Sequence, residues 1–345
     1  MSKPLVVVTR PYQWNNLETE NFRIIHFPIF GSNPVLVGGF PMADSVGGVV
    51  SEPELVQMVK FIIKNKPVAF LYWPMFSLEG NENQYGFKRI LEMFEYIRKF
   101  SPKTKFFYGN GNQQGRIDQN VAAYAKFIDV ILTNTADSIE RLMFHTSGFP
   151  FVDTFYQFGY DPLDHDMSAM VPEYDCFFAG SQTVIPGLGP LYPNSKMRLD
   201  FLIEVSKKFK LLIHGKKNWP IPANFHVAGK EFYPLFGKAK IILGMNHWDL
   251  ARYYTRRVIY GGGSGRLLIH YYIPEMEKDG FKNGENIVWF ESPKEGLEKI
   301  EYYLKHNEER EKIAKQQTLF FAANHGWIPR LLQFDKILTR HNPID

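Results

Sequence analysis

Cysteine is almost absent: the 345 residues contain one, Cys176. That excludes an internal disulfide and any cysteine-built zinc cluster, and it fits a reducing compartment, with the cytosol as the expectation. Long apolar runs are missing as well. The longest candidates, Leu5 to Val8 and Ile241 to Met245, are strand-sized and fall far short of the roughly 20 residues that span a bilayer. The N-terminus lacks the basic and apolar regions and the small-residue cleavage site of a signal peptide. No integral membrane segment is expected. An excess of one charge is also lacking. Lys+Arg 40 against Asp+Glu 36 leave +4, spread along the chain without a basic block, so charge by itself selects no nucleic-acid partner. Neither Gly187-Leu188-Gly189 nor Gly261 to Gly265 makes a GxGxxG dinucleotide fingerprint, and no Walker loop or serine-triad elbow is present.

What remains is 45% hydrophobic and 22% charged, enough for two ordinary domains with cores of their own. The aromatic residues are scattered through strand-like and helix-like segments alike and read as core. Short apolar runs alternate with segments of helical period, the pattern of βα units around parallel sheets. Strands are expected at Leu5–Thr9, Phe22–Phe27, Val68–Trp73, Lys105–Tyr108, Asp129–Thr133 and Asp153–Phe158. After a break they are expected at Asp175–Ala179, Lys210–His214, Phe225–Ala228, Lys240–Met245, Arg266–His270 and Asn286–Phe290. Ser51-Glu52-Pro53-Glu54 and Ser292-Pro293-Lys294-Glu295 are capping boxes that open helices. Lys196 to Phe209 carries Met197, Phe201, Val205 and Phe209 on one helical face. Asp161 to Pro172 breaks both periods and reads as a linker. The fold class is α/β: two doubly wound Rossmann-like domains, 1–165 and 174–326, with 327–345 as a final helix. In such folds ligands sit at the carboxyl ends of strands, here in a cleft between the domains.

Several motifs of the second half then fall in one order. Phe158-Gly159-Tyr160-Asp161-Pro162 closes the first domain, and Phe177-Phe178-Ala179-Gly180-Ser181 opens the second. Ile213-His214-Gly215 ends the next strand, and Gly229 to Leu243 follows. Arg257 to His270 lies without gaps on the pattern R-v-f-E-a-l-a-c-G-g-f-l-L-t, and Phe281 to Phe290 on f-x-x-G-e-e-i-v-x-f. In this order and spacing the stretch from about Phe155 to Leu332 resembles glycosyltransferases of the GT-B fold. The branch is the group-one-like one, with its spore-coat and polysaccharide transferases and, more distantly, phage DNA glucosyltransferases.

The resemblance implies transfer of a sugar from a nucleotide-sugar donor, UDP-sugar favoured, bound by 174–326. The acceptor, on 1–165, is a glycan, a small molecule, a protein or modified DNA. It implies no bound cofactor and no metal, and a final helix, Ile328 to Leu338, that braces the first domain. Arg257 matches the arginine that meets the diphosphate and Gly265 the turn glycine before a strand. Tyr260 stands where relatives carry the glutamate that binds ribose. A phenol offers one donor and a weak acceptor where a carboxylate accepts from two hydroxyls.

Beside these, Gly180 and Ser181 can offer backbone N–H groups and a hydroxyl to phosphate, or form a plain βα turn. Lys196 and Arg198, early in a helix, can neutralise the diphosphate or sit on a solvated surface. Adjacent Arg256 and Arg257 suit phosphate, with Arg256 facing solvent. The loop Val227 to Glu231, including Gly229, would present its backbone to the base. His214, Gly215 and Asn246 end strands beside it. Inverting relatives often carry an aspartate base where this chain has Asn110, and a neutral amide cannot take a proton from a hydroxyl. Asp44, or more weakly Asp118, is the substitute, unless the donor phosphate takes the proton in a retaining reaction. Asp164-His165-Asp166 spells a DxD metal motif, but it sits in the linker and not at a strand end. Two other readings stand: a catalytically inactive nucleotide- or glycan-binding protein, motivated by Tyr260 and Asn110, and an epimerase on the same fold.

Overall fold

The computed structural model describes residues 3–9, 17–26, 52–73, 81–110, 119–156, 158–185, 189–215, 219–222 and 232–342. They fall into two compact units, one of residues up to 156 together with 328 onward, the other of 158–327.

The first unit is a seven-stranded sheet, β1 (Leu5–Val8), β2 (Leu17–Glu18), β3 (Arg23–His26), β4 (Ala69–Tyr72), β5 (Lys105–Asn110), β6 (Val130–Thr133) and β7 (Phe151–Thr154), in the order β2-β3-β1-β4-β5-β6-β7. Only β2 runs antiparallel to its neighbour. The parallel strands are near-continuous apolar runs because helices cover both faces. One face packs α1 (Glu52–Asn65), α2 (Asn81–Phe100), α3 (Gln119–Tyr124) and α4 (Ser138–Thr146), with Met58, Ile62, Ile90, Phe94, Ile97 and Phe144 in its core. The other face takes Leu331, Phe334, Ile337 and Leu338 of the last helix against Val6, Val8, Leu71, Phe107 and Phe155. Sequence reasoning set the last strand of this half at Asp153–Phe158. It ends instead at Thr154, and the next two residues pack on the last helix, Phe155 against Phe334 and Tyr156 under the Arg330 guanidinium.

The second unit holds α5 (Pro162–His165), β8 (Tyr174–Ala179), a small hairpin of β9 (Val184–Ile185) and β10 (Gly189–Pro190), α6 (Ser195–Lys208), β11 (Leu211–His214), α7 (Pro234–Gly237), β12 (Ala239–Gly244), α8 (Arg256–Gly263), β13 (Leu267–Tyr271), β14 (Val288–Phe290), α9 (Pro293–Lys305) and α10 (Asn307–His325). The chain ends in α11 (Trp327–His341). Its sheet is parallel throughout, in the order β11-β8-β12-β13-β14. The expected strand Phe225–Ala228 lies outside the described residues. Ser292 caps α9 as expected, accepting from the Glu295 N–H at 3.3 Å. The Glu295 carboxylate, however, reaches back to the N–H of Glu291 and not to that of Ser292.

The segment 161–172 is not a free linker. Asp161 caps α5 by accepting from the Leu163 N–H, and the His165 ring lies 3.8 Å from that of Tyr233 and 5.3 Å from that of Tyr260. Arg266 donates to the carbonyls of Met167 and Met170, and the Met167 N–H to that of Ser264. These bonds tie the segment to the second unit, so the boundary falls at residue 157, ahead of the expected 165. Within the DxD triplet, Asp166 accepts from the Ser168 N–H as a local turn.

The glycine run Gly261 to Gly263 was expected to weaken its helix, yet α8 runs through it. A Cβ at Gly262 would overlap the Phe321 ring, and one at Gly263 the Tyr160 ring. The missing side chains let α8 lie directly on its neighbours. Gln317 of α10 fixes that contact, donating to the carbonyls of Gly262 and Arg266 and accepting from the Leu268 N–H.

Candidate functional site

The strand order of the second unit reverses between β8 and β12, the point at whose carboxyl end open α/β sheets bind ligands. Gly180 and Ser181 follow β8 there, and Met245 to His247 follow β12. Gly180 donates its N–H to the His214 carbonyl at 2.9 Å and accepts from Trp219 Nε1 at 3.1 Å. A Cβ on Gly180 would stand 2.6 Å from Arg257 Nη2 and 2.8 Å from Phe178 Cε1, so this close approach requires glycine. Gly215 is equally confined, packed on the Gly180 carbonyl.

Arg257, in the first turn of α8, lies with its guanidinium 4.4 Å from the centroid of the Phe178 ring. Its Nε donates to the Ala179 carbonyl and its Nη1 to that of Met245 at 2.9 Å. Nη2 has no hydrogen-bond partner among the described residues. Burial pulls the Arg257 pKa down to about 10, which leaves it protonated at neutral pH.

Arg198 of α6 approaches the same Phe178 ring, 5.5 Å from its centroid, and is 1% exposed. It donates to the Ser181 carbonyl, to Thr183 Oγ1 at 3.2 Å and to His247 Nε2 at 2.9 Å, while its Nε has no partner among the described residues. Burial first, then the charge of Arg257, pushes its pKa well below the usual value. Among the described residues neither guanidinium meets a carboxylate; the nearby Asp249 accepts from Asn194 Nδ2 instead. A buried and a half-buried cation thus lie against one ring, each held by neutral acceptors among the described residues, an arrangement that costs desolvation energy and favours an anion.

The other sequence candidates are placed as follows. Lys196 is exposed and paired with Asp200 at 2.7 Å on the α6 surface. His214 is buried, its ring 5.0 Å from that of Phe232. Asn246 braces the loop before α8, donating to the Tyr253 carbonyl and accepting from Thr255 Oγ1. Arg256, expected to face solvent, has its guanidinium over the rings of Phe158 and Tyr260. Tyr260 is 3% exposed, its ring 5.1 Å from that of Tyr233 and its hydroxyl 3.5 Å from the Tyr233 hydroxyl. It serves the aromatic packing of α5, α7 and α8. Gly265, with φ +77, makes the turn into β13, where a Cβ would meet Asp166 and Ser168. Asn110 is buried at the end of β5 in the first unit, opposite Thr133. Asp44, Asp118, Val227, Gly229 and Glu231 lie outside the described residues. Sequence reasoning missed His247, Thr183 and Phe178. The one available signal was their position just after, or at the end of, the two strands that flank the switch point.

Residues 198–336 match a family model described as glycosyl transferase-like. No curated protein sequence matches the chain. Among solved structures, HepE from Anabaena in complex with UDP and glucose is similar at a TM-score of 0.59 and 9% identity, over 98% of this chain and 100% of that one. An alpha-glucosyltransferase in complex with UDP-glucose and DNA containing an abasic site is similar at 0.57 and 10%, over 85% of each chain. Sucrose-phosphate synthase from Thermosynechococcus elongatus is similar at 0.55 and 8%, over 99% of each. Among the described residues no helix is long and apolar enough to cross a membrane. Residues 198–336 are thus similar to the glycosyl transferase-like family, and the chain shares the GT-B fold of these solved structures.

Proposed function

We propose that the second unit binds the diphosphate of a nucleotide-sugar donor, a UDP-sugar first among the candidates, at the carboxyl ends of β8 and β12. The observation that carries this reading is the pair Arg198 and Arg257, a buried and a half-buried guanidinium against one phenylalanine ring that meet no carboxylate among the described residues. Similar structures that hold UDP or UDP-glucose support the choice of base. Arg257 Nη2 and the N–H and hydroxyl of Ser181 would meet the phosphates, the Gly180 N–H being already given to the His214 carbonyl. As the acceptor oxygen bonds to the anomeric carbon and the bond to the diphosphate oxygen breaks, negative charge grows on the leaving phosphate. Preorganised cations in a dry site stabilise that charge without reorganising.

The first unit would carry the acceptor. The Asn110 amide is no base, so the acceptor proton goes to a carboxylate, with Asp44 the candidate, or to the departing phosphate itself. Tyr260, packed on Tyr233 and His165, is assigned to the core of the second unit and not to ribose recognition. A DNA acceptor remains one of the four classes, and one similar structure is described with DNA.

Isothermal titration of the full chain with UDP, UMP and uridine tests the donor reading. UDP is expected to bind most tightly, and Arg257→Ala to weaken UDP by about tenfold or more, a loss of roughly 1.4 kcal/mol, while leaving uridine unchanged. Equal affinity for UDP and uridine contradicts it.

A further inference from the structure

His247 follows β12 and is the acceptor for Arg198 Nη1, with Nε2 at 2.9 Å. A guanidinium can only donate, so Nε2 must present its lone pair and the ring proton must sit on Nδ1. Nδ1 lies 3.4 Å from Thr183 Oγ1, which in turn donates to Ser195 Oγ at 2.8 Å. Each member of this chain is neutral. The imidazole therefore satisfies a buried arginine without cancelling its charge, which the usual partner, a carboxylate, would do. Burial, with Arg198 and Arg257 as the second and third causes, also pushes the pKa of His247 down to about 2, so protonation does not compete with this role near neutral pH.

We propose that His247 is a positioning residue: as an obligately neutral acceptor it fixes the Arg198 guanidinium beside the Gly180–Ser181 turn while keeping its full positive charge available to the donor diphosphate. The inference rests on the donor reading above and adds a residue and a rule to it. The site needs acceptors for its arginines that are neutral, and Ser181 O, Thr183 Oγ1 and His247 Nε2 are all of that kind. A purely structural demand would be met as well, or better, by an aspartate or glutamate, since a guanidinium–carboxylate pair makes the stronger hydrogen bonds.

The difference between the two demands is measurable. UDP titrations of wild type, His247→Gln and His247→Glu separate hydrogen bonding from charge, with the melting temperature of each unliganded protein recorded beside them. His247→Gln keeps a neutral acceptor, and its UDP dissociation constant is expected within about threefold of wild type. His247→Glu is expected to melt at or above the wild-type temperature and to bind UDP about tenfold or more weakly, the size of effect one nearby opposite charge produces. Thr183→Asp places a carboxylate on Nη2 of the same arginine and carries the test if His247→Glu does not fold; the same loss of UDP affinity is expected. Unchanged UDP affinity in a folded glutamate or aspartate variant overturns the inference and leaves the donor reading standing. Failure of wild type to bind UDP overturns both.

Discussion

At the scale of single residues, the site is organised by what its arginines are denied. Arg198, buried, and Arg257, half-buried, lie beside Phe178 and meet carbonyls, a hydroxyl and an imidazole among the described residues. Glycine at 180 is part of that arrangement, because any side chain there would press on Arg257 Nη2. Gly180→Ala should therefore weaken UDP by about tenfold, or roughly 1.4 kcal/mol, with the fold retained by circular dichroism. A second expectation concerns pH. Burial holds the pKa of His247 down to about 2 and that of His270 to about 3, against 6.5 for a free histidine. The folded protein then binds fewer protons than the unfolded chain below pH 6.5, so stability is fully present above that value and is lost as pH falls toward 3. Each histidine contributes a slope of up to about 1.4 kcal/mol per pH unit. Urea denaturation between pH 7 and pH 4 should show a shallower loss in His247→Gln than in wild type. Arg257 was legible in the sequence through its place before a glycine run. Arg198 was legible only as a cation near a helix start, equally readable as surface. His247 was not legible, because the bond that defines its role joins residues 49 positions apart.

At the scale of elements, α8 shows most clearly where sequence rules and packing diverge. Helix propensity disfavours Gly261 to Gly263 by about 1 kcal/mol for each glycine relative to alanine. The structure nonetheless keeps the helix, since a Cβ at Gly262 would overlap the Phe321 ring. Gly262→Ala is thus expected to lower stability by about 1–3 kcal/mol, as overpacking does, in spite of its better propensity; a urea midpoint shifted upward would contradict this. The βα alternation was readable because apolar runs and helical stripes differ in period, and strands such as β4, β6 and β12 fall where that alternation puts them. The segment 161–172 was misread as a linker. Its prolines and aspartates look like loop punctuation, whereas the contacts that bind it, His165 to Tyr233 and Arg266 to the Met167 and Met170 carbonyls, come from residues far along the chain. Tyr260 is a parallel case. Alignment with a family pattern put it where relatives carry a ribose-binding glutamate, and the structure buries its ring 5.1 Å from that of Tyr233.

At the scale of the whole molecule, two α/β units carry separate cores, and the last helix, from Ile328 on, completes the first of them. The second unit holds a parallel sheet whose order reverses between β8 and β12, and Arg198 and Arg257 converge at that point. A ligand that binds only the folded second unit should raise its melting temperature, by an amount equivalent to about 2.7 kcal/mol at a hundredfold excess over its dissociation constant. The acceptor is a separate question. Duplex DNA binding that falls steeply with salt would select DNA among the proposed acceptors, and salt-independent or absent binding would remove it. The central claim is that Arg198 and Arg257, which meet no carboxylate among the described residues, form a cationic seat for a nucleoside diphosphate. Titration calorimetry of UDP into wild type and the Arg198→Gln, Arg257→Gln double variant tests it most directly. The account predicts measurable binding of UDP to wild type that the folded double variant lacks; equal binding to both proteins would contradict it.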